Sequence, residues 1–370
     1  VRFAFTLSAY ITRQFMLAVL AVLAALSGLV ALFDFIELLR RSATKPDATF
    51  SIVVEIAALR LPWIAIEILP FAVLLGGFVA FWRLTRSSEL IVARAAGVSA
   101  WQFLMAPMLS AICLGAMATG VGSPLSSVLL ARAEVLDNAY LRTGGGPMAL
   151  TGGQLWLRQV DRGLQPGGVA IMHALGVRLK GRSLSTSEIS VFRLDSNDRL
   201  LQRIEAQEAR LGRGEWVLAN ARSITPDHLP EPPRTINLPT DLTVNRVQES
   251  FASPDTLSVW ALPGFIALLD RSGFSSIRHR LHFQTLLALP LLAGTMALVA
   301  AGFSMRPARR GGVSQMIASG VAAGFALFMV SKIAEEFGNS GALPVVMAAW
   351  VPAASGLMLA VALLLHLEDG

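Results

Sequence analysis

Apolar positions along the chain form six unbroken stretches: Phe15 to Phe33, Leu61 to Trp82, Phe103 to Val121, Phe283 to Met305, Val313 to Val330 and Leu343 to Leu365. A hydrocarbon core about 30 Å thick is crossed by about twenty such residues, so each stretch predicts a transmembrane helix. From Gly122 to His282 the pattern changes to short bursts separated by Gly, Pro, Asn and Asp, at 154–160, 169–173, 189–194, 203–210, 215–224, 236–238 and 241–247. Such bursts predict the strands of a sandwich or jelly roll. The flanks read as helix: 126–141 continues the third span, and 258–271, with Trp260, Leu262, Phe265, Ile266 and Leu269, has the pattern of an interfacial helix before the fourth. The expected architecture is an α-helical polytopic membrane protein of six transmembrane helices with an inserted all-β jelly-roll-like domain. Its expected divisions are 1–122, 123–257 and 258–370.

Composition agrees with the pattern: 54% of residues are hydrophobic and 15% charged, with a mean hydropathy of +0.58, outside the range of soluble domains. The first apolar stretch is followed by Asp34, Glu37, Arg40 and Arg41 rather than a small-residue cleavage site, so a retained helix is expected and not a cleaved signal peptide. Cys113 lies inside the third span and is the single cysteine, which excludes an intramolecular disulfide. With the N-terminus inside, Arg2, Arg13, Arg83, Arg86, Arg94, Arg306, Arg309 and Arg310 face the cytoplasm against one acid, Glu89, as the positive-inside rule requires. The β-domain is then external and both termini cytoplasmic. Arg278 and Arg280 lie on the side the rule disfavours, but long exported domains obey it weakly.

Between the second and third spans, TRSSELIVARAAGVS predicts a short capped helix over 88–96. Ser88 is an N-cap, Glu89 complements the helix dipole in the first turn, and Gly97 ends the helix. Ser99 and Gln102 have the spacing of a capping box that starts the third span afresh. About eight residues rise only about 12 Å, so this helix lies across the cytoplasmic ends of two spans. A plain solvated turn helix is the simpler reading. Two caps, an acid, two arginines and an apolar face of Leu90, Ile91, Ala95 and Val98 instead suit docking into a groove of a cytoplasmic partner.

The stretch SSELIVARAAGVS, preceded by LPWIAIEILPFAVLLGG with its two prolines eight positions apart, resembles the LptF/LptG family of lipopolysaccharide-export permeases. The segments SGFSSIRHRLHFQTLLALPLLAG and GALPVVMAAWVPAASGLMLAVALLLHLEDG are similar to the LptG branch of that family. The resemblance covers both membrane halves, and the β-domain by position and length. It implies an inner-membrane permease paired with a second, LptF-like permease, a homodimeric cytoplasmic ABC ATPase (LptB-like), a periplasmic membrane-anchored bridge protein (LptC-like), and lipopolysaccharide as cargo. It makes 88–96 the coupling helix, with Ser88, Glu89, Leu90, Ile91, Arg94 and Gly97 as its ATPase-binding residues and Glu89 as the polar contact. The β-domain becomes a periplasmic jelly roll.

The residues fit a non-catalytic subunit. A P-loop needs Gly-Lys-Ser/Thr, whereas Lys45, Lys180 and Lys332 lie in TKP, LKG and SKI. Gly144 to Gly146 read as a linker and Gly311 to Gly312 as a tight turn. His279 and His282 share a helical face but lack a third ligand nearby, and a polar interface cap beside Arg278 and Arg280 is the better reading. No H-E-x-x-H, G-x-S-x-G or C-x-x-C occurs. No enzyme, no cofactor of its own, no metal and no nucleic-acid partner are expected; ATP is used by the partner subunit.

A lipid with several acyl chains exposes on the order of seventy methylenes, and at about 0.8 kcal/mol each its transfer into water costs tens of kcal/mol. The cargo must therefore slide from a membrane cavity into an apolar groove, which a jelly roll open along one edge offers. Headgroup phosphates favour arginine at the outer mouth, and Arg40, Arg41 and Arg132 are the candidates; ordinary headgroup contact is the alternative. Asp34 is an acid in that region; it either pairs with Arg40, Arg41 or Arg132 and holds them in place, or signals a cargo with fewer phosphates. Glu67, in the second span, either faces a cavity or a helix partner or snorkels to the outer interface. Two rival functions remain at this point. One is a non-transporting membrane-anchored β-scaffold for envelope assembly; the other is a secondary transporter, disfavoured by the scarcity of paired ionisable residues at mid-span.

Overall fold

The structure, a computed structural model, describes residues 5–43, 45, 48–87, 100–141, 148–151, 154–161, 168–180, 183–195, 199–212, 214–225, 231–240, 253–271, 275–304 and 313–369. The segments 88–99, 142–147, 241–252 and 305–312 lie outside them, so the short capped helix, the start of its capping box, the Gly144 linker, the strand at 241–247 and the Gly311 turn are not described. The chain divides into two compact units, Val1–Leu141 with Asp255–Leu262 and Ile277–Gly370, and Arg142–Pro254 with Pro263–Ser276.

The first unit is helical. Helix α1 is Phe5–Ser42 and α2 is Phe50–Arg86. Helix α3, Ala100–Met117, runs through one π-helical turn, Ala118–Gly122, into α4, Ser123–Tyr140. After the β strands and a ten-residue helix α5 come α6 (Ile277–Ser304), α7 (Val313–Asn339) and α8 (Val345–Asp369). Among the described residues six stretches are long and apolar enough to cross a membrane, which makes the chain a polytopic helical membrane protein. The first three are 35, 37 and 40 residues long. At 1.5 Å per residue the second rises about 55 Å, well past a 30 Å hydrocarbon core. These helices therefore leave the bilayer as a stalk, which has its own apolar centre of Leu38, Val53, Ile56, Ala133 and Leu141.

Inside the span region Phe15, Val19, Val73, Leu74, Phe81, Met296 and Ala300 are buried in one cluster. Without a hydrophobic drive between helices in lipid, close packing at small residues holds such a bundle. Gly320 and Gly324, four apart on α7, face α2: a Cβ built on Gly324 would sit 2.0 Å from Leu74 Cδ2, and one on Gly320 would sit 2.3 Å from Phe78 Cζ. Gly324→Leu is therefore expected to cost about 1–3 kcal/mol of packing energy and to lower the yield of monodisperse protein in detergent. The obstructing atoms belong to the flexible end of Leu74, so Leu74→Ala in the same chain should restore it. Failure of the second substitution to rescue would show that α7 does not seat on α2 at this point. In the π turn, Thr119 donates from Oγ1 to the Leu286 carbonyl of α6 at 2.8 Å. A π turn of this kind frees a carbonyl or shifts a side chain into a neighbour's reach.

Among the described residues the second unit is an antiparallel sheet of ten strands: β1 148–151, β2 154–160, β3 169–175, β4 178–180, β5 183–186, β6 188–194, β7 200–206, β8 208–211, β9 215–224 and β10 234–239. Their order is β1-β2-β3-β6-β7-β9-β8-β5-β4, with β10 paired to β9. The ten-residue β9 joins two half-sheets: Arg222 to Ile224 pair with β7, while Trp216 to Ala219 pair with β8. Leu155, Met172, Val191 and Ile204 from one half and Leu184, Leu211, Trp216 and Leu238 from the other share a single core. Among the described residues β1 pairs only with β2 and β4 only with β5, and these two strands are the ends of the described sheet. The burst at 203–210 is two strands, β7 and β8, broken at Gln207. The segments β1, β4 and β5 were not foreseen, because MALT, RLK and SLST are too short or too polar to stand out. Helix α5, Leu262–Arg271, begins four residues later than the pattern suggested, with Pro263 in its first turn as helix starts allow. Its Leu269 is fully buried in the β core and Phe265 packs beside it, so this apolar face covers strands where an interfacial position was expected.

Candidate functional site

The charged residues of the helical stalk are arranged in pairs of two kinds. On α1 the carboxylate of Glu37 accepts from Arg40 Nε and Nη2, each at 2.8 Å, and from Arg41 Nε at 2.9 Å, the spacing that one helix face permits. Arg132 of α4 donates from Nη2 to Glu55 of α2 at 2.8 Å. These pairs are exposed, with 77% of the Arg40 side chain and 67% of the Arg132 side chain accessible. Exposed pairs contribute about 0–1 kcal/mol. A phosphate, which an arginine fork binds bidentately, can displace such a carboxylate, so the pairs hold the forks in place without consuming them.

The other kind is partly buried. Among the described residues Asp34 does not pair with Arg40, Arg41 or Arg132, the first of its two readings. Instead Arg60 of α2 reaches across, its Nη1 donating to Asp34 Oδ1 at 3.0 Å, and its Nη2 lies 3.6 Å from Asp137 Oδ2 of α4. Asp137 has 1% of its side chain exposed and Arg60 16%. This cluster ties three helices together. Its sequence signal was a lone arginine between Leu59 and Leu61 and a lone acid on an apolar helical face.

A cavity of about 280 Å³ lies within the helical unit, walled by Trp63, Ile66 and Phe328 and edged by Glu67, Lys332, Glu335, His282 and Asp255. Glu67 pairs with Lys332 of α7, so it faces both a helix partner and a cavity; Lys332 also donates to Glu335 at 3.1 Å. His282 Nδ1 lies 3.4 Å from Asp255 Oδ1. The segment carrying Asp255 is held by the Val259 amide donating to Ser123 Oγ at 3.1 Å, and by the Trp260 indole donating to the Gly120 carbonyl at the same distance. No group of three His, Cys, Asp or Glu suited to a metal ion occurs among the described residues. The six ATPase-contact candidates, Ser88, Glu89, Leu90, Ile91, Arg94 and Gly97, lie outside the described residues.

Comparison with known proteins supplies the family. The model of the lipopolysaccharide export system permease LptF/LptG matches residues 9–366, both membrane halves and the β-unit between them. This chain belongs to the LptF/LptG family. It is similar to the lipopolysaccharide export system permease protein LptG of Haemophilus influenzae, 24% identical over 362 residues that cover 94% of each chain. The LptG of Escherichia coli K12 is also 24% identical, over 312 residues covering 80% of this chain and 81% of that one. Six spans and an inserted antiparallel β-unit are thus the body of an LptF/LptG permease, and the family is one of permeases rather than of enzymes.

Proposed function

We propose that this LptF/LptG-family chain is the LptG-type permease subunit of an inner-membrane ABC transporter. It extracts lipopolysaccharide from the inner membrane and passes it to a periplasmic protein bridge, driven by a separate cytoplasmic ATPase. The observation that carries this reading is the family match along nearly the whole chain, membrane spans and β-unit together. The partners in this proposal are an LptB-like ATPase homodimer, an LptF-like second permease and an LptC-like bridge protein, and the chain itself needs no cofactor. Both termini and the 88–96 helix face the cytoplasm, and the β-unit faces the periplasm. The exposed apolar faces of α1 (Leu29, Leu32, Phe33) and α7 (Phe325, Met329, Ile333) suit lipid or a second permease.

The mechanism is rigid-body coupling. ATP-driven closure of the ATPase dimer moves the docked 88–96 helix, α2 and α3 tilt with it, and the lipid cavity collapses. Arg40, Arg41 and Arg132 exchange their exposed carboxylates for headgroup phosphates during extraction. The acyl chains then enter the sheet between its end strands β1 and β4. Tagged chain extracted from its native host in mild detergent should bring down an ATPase and a second permease, with ATP hydrolysis in the eluate. Recovery of the chain with neither would contradict the reading.

A further inference from the structure

The face of the sheet turned away from its core carries a row of residues in register across five adjacent strands. Trp156 of β2 pairs with His173 of β3, His173 with Ser190 of β6, Ser190 with Glu205 of β7, and Glu205 with Arg222 of β9. Neighbouring strands are about 4.8 Å apart, so the row is about 19 Å long, enough for several sugar rings. Beside it lies a hollow of about 420 Å³ edged by His173, Glu188, Ser190, Glu205, Asn220 and Arg222.

Three features distinguish this face from an ordinary solvated one. The Trp156 ring lies over His173, centroids 4.1 Å apart and planes 28° from parallel, with Trp156 still 43% exposed. This fixes a flat apolar platform at one end of the row. At the other end Asn220 adopts φ 51° within β9, where the pairing with β10 slips between Arg234 and Ile236. A bulge of this kind re-aims a side chain, and Ala219 and Asn220 both turn from the core as a result. Finally, Glu188, Asn220 and Arg222 have no side-chain hydrogen bond to another described residue. Elsewhere on the same domain several polar side chains are paired: Arg193 with Asp161, Gln202 with Ser223, Thr240 with Gln159.

We infer that this row is a saccharide-binding strip that takes the sugar portion of the cargo, an inference that rests on the lipopolysaccharide reading above. A planar aromatic ring stacks on the C–H face of a pyranose. Carboxylate, amide and guanidinium ends, each offering two coplanar hydrogen-bonding atoms, match vicinal hydroxyls. Charge sets which part of the glycan fits: Glu188 and Glu205 repel phosphate, so the strip takes a hydroxyl-rich segment away from the phosphorylated headgroup. The sheet then carries acyl chains on one face and sugar on the other.

The test uses full-length protein in detergent and lipid-free oligosaccharide released from the host's lipopolysaccharide, with soluble peptidoglycan fragments as a second glycan. Binding is read by saturation-transfer NMR, and export of intact lipopolysaccharide is followed in cells carrying the same variants. The expected result is binding of the lipopolysaccharide oligosaccharide, weakened about tenfold by Trp156→Ala and by Arg222→Ala and retained by Trp156→Phe. Both positions are surface residues, and circular dichroism checks that the variants are folded. No binding by wild type, equal binding by Trp156→Ala, or binding of peptidoglycan fragments alone overturns the inference. If wild-type chain exports lipopolysaccharide but ignores the oligosaccharide, the strip is wrong and the permease reading stands. If it exports none, the permease reading has failed first.

Discussion

Glu89→Ala should reduce ATP-driven lipid release to background while leaving the permease folded and membrane-inserted. Glu89 is the one acid in the short segment between the second and third spans, and the sequence predicts it in the first turn of a short helix, whose dipole would favour it. As the polar contact to the ATPase it would make a charge-assisted hydrogen bond worth about 2 kcal/mol, and losing it lowers the fraction of productively docked complex about thirtyfold. Two measurements separate coupling from folding. Size-exclusion chromatography should show the variant eluting as wild type does. In proteoliposomes, lipopolysaccharide release should collapse even though the ATPase, added in excess, still hydrolyses ATP. Normal release by the variant would remove the segment from the mechanism.

The second large effect concerns stability. Arg60→Met should destabilise the stalk ends of α1, α2 and α4 by about 3 kcal/mol, because it takes the arginine away from the part-buried Asp34 and the buried Asp137. The thermal midpoint of the detergent-solubilised protein should fall, and protease should cut first in the stalk. Neutralising the acids as well, in Arg60→Met with Asp34→Asn and Asp137→Leu, should recover most of the loss, since a packed apolar replacement of a buried pair is often neutral. Arg132→Ala is the contrasting case. Its pair with Glu55 is exposed, so stability should change by less than about 1 kcal/mol. An Arg60→Met protein that melts like wild type would show that the cluster does not hold the three helices.

Physics explains which features could be read from the sequence. The six spans were legible because the bilayer sets a minimum apolar length. Beyond that thickness nothing in hydropathy fixes where a helix ends, so the stalk reaching Ser42 on α1 and beginning at Phe50 on α2 was underestimated, although 126–141 had marked it on α4. Strands such as β2 and β9 announced themselves by apolar content, whereas β4 and β5 are defined by partners rather than by composition. Arg40 and Arg41 were legible, and so in principle was their pairing with Glu37 at helical spacing. Contacts between distant residues were not: Arg60 meets Asp34 across 26 positions and Lys332 meets Glu67 across 265, and nothing local in the chain announces either pair. The family likeness in SSELIVARAAGVS was legible because its caps, its acid and its one glycine fall close together between two spans.

The most direct test of the central claim is pulse-labelling of lipopolysaccharide in the native host while this chain is depleted, followed by separation of inner and outer membranes. The account predicts that newly made lipopolysaccharide stays in the inner-membrane fraction and that re-expressed wild-type chain restores its passage. Arrival at the outer membrane at the normal rate in depleted cells would contradict it.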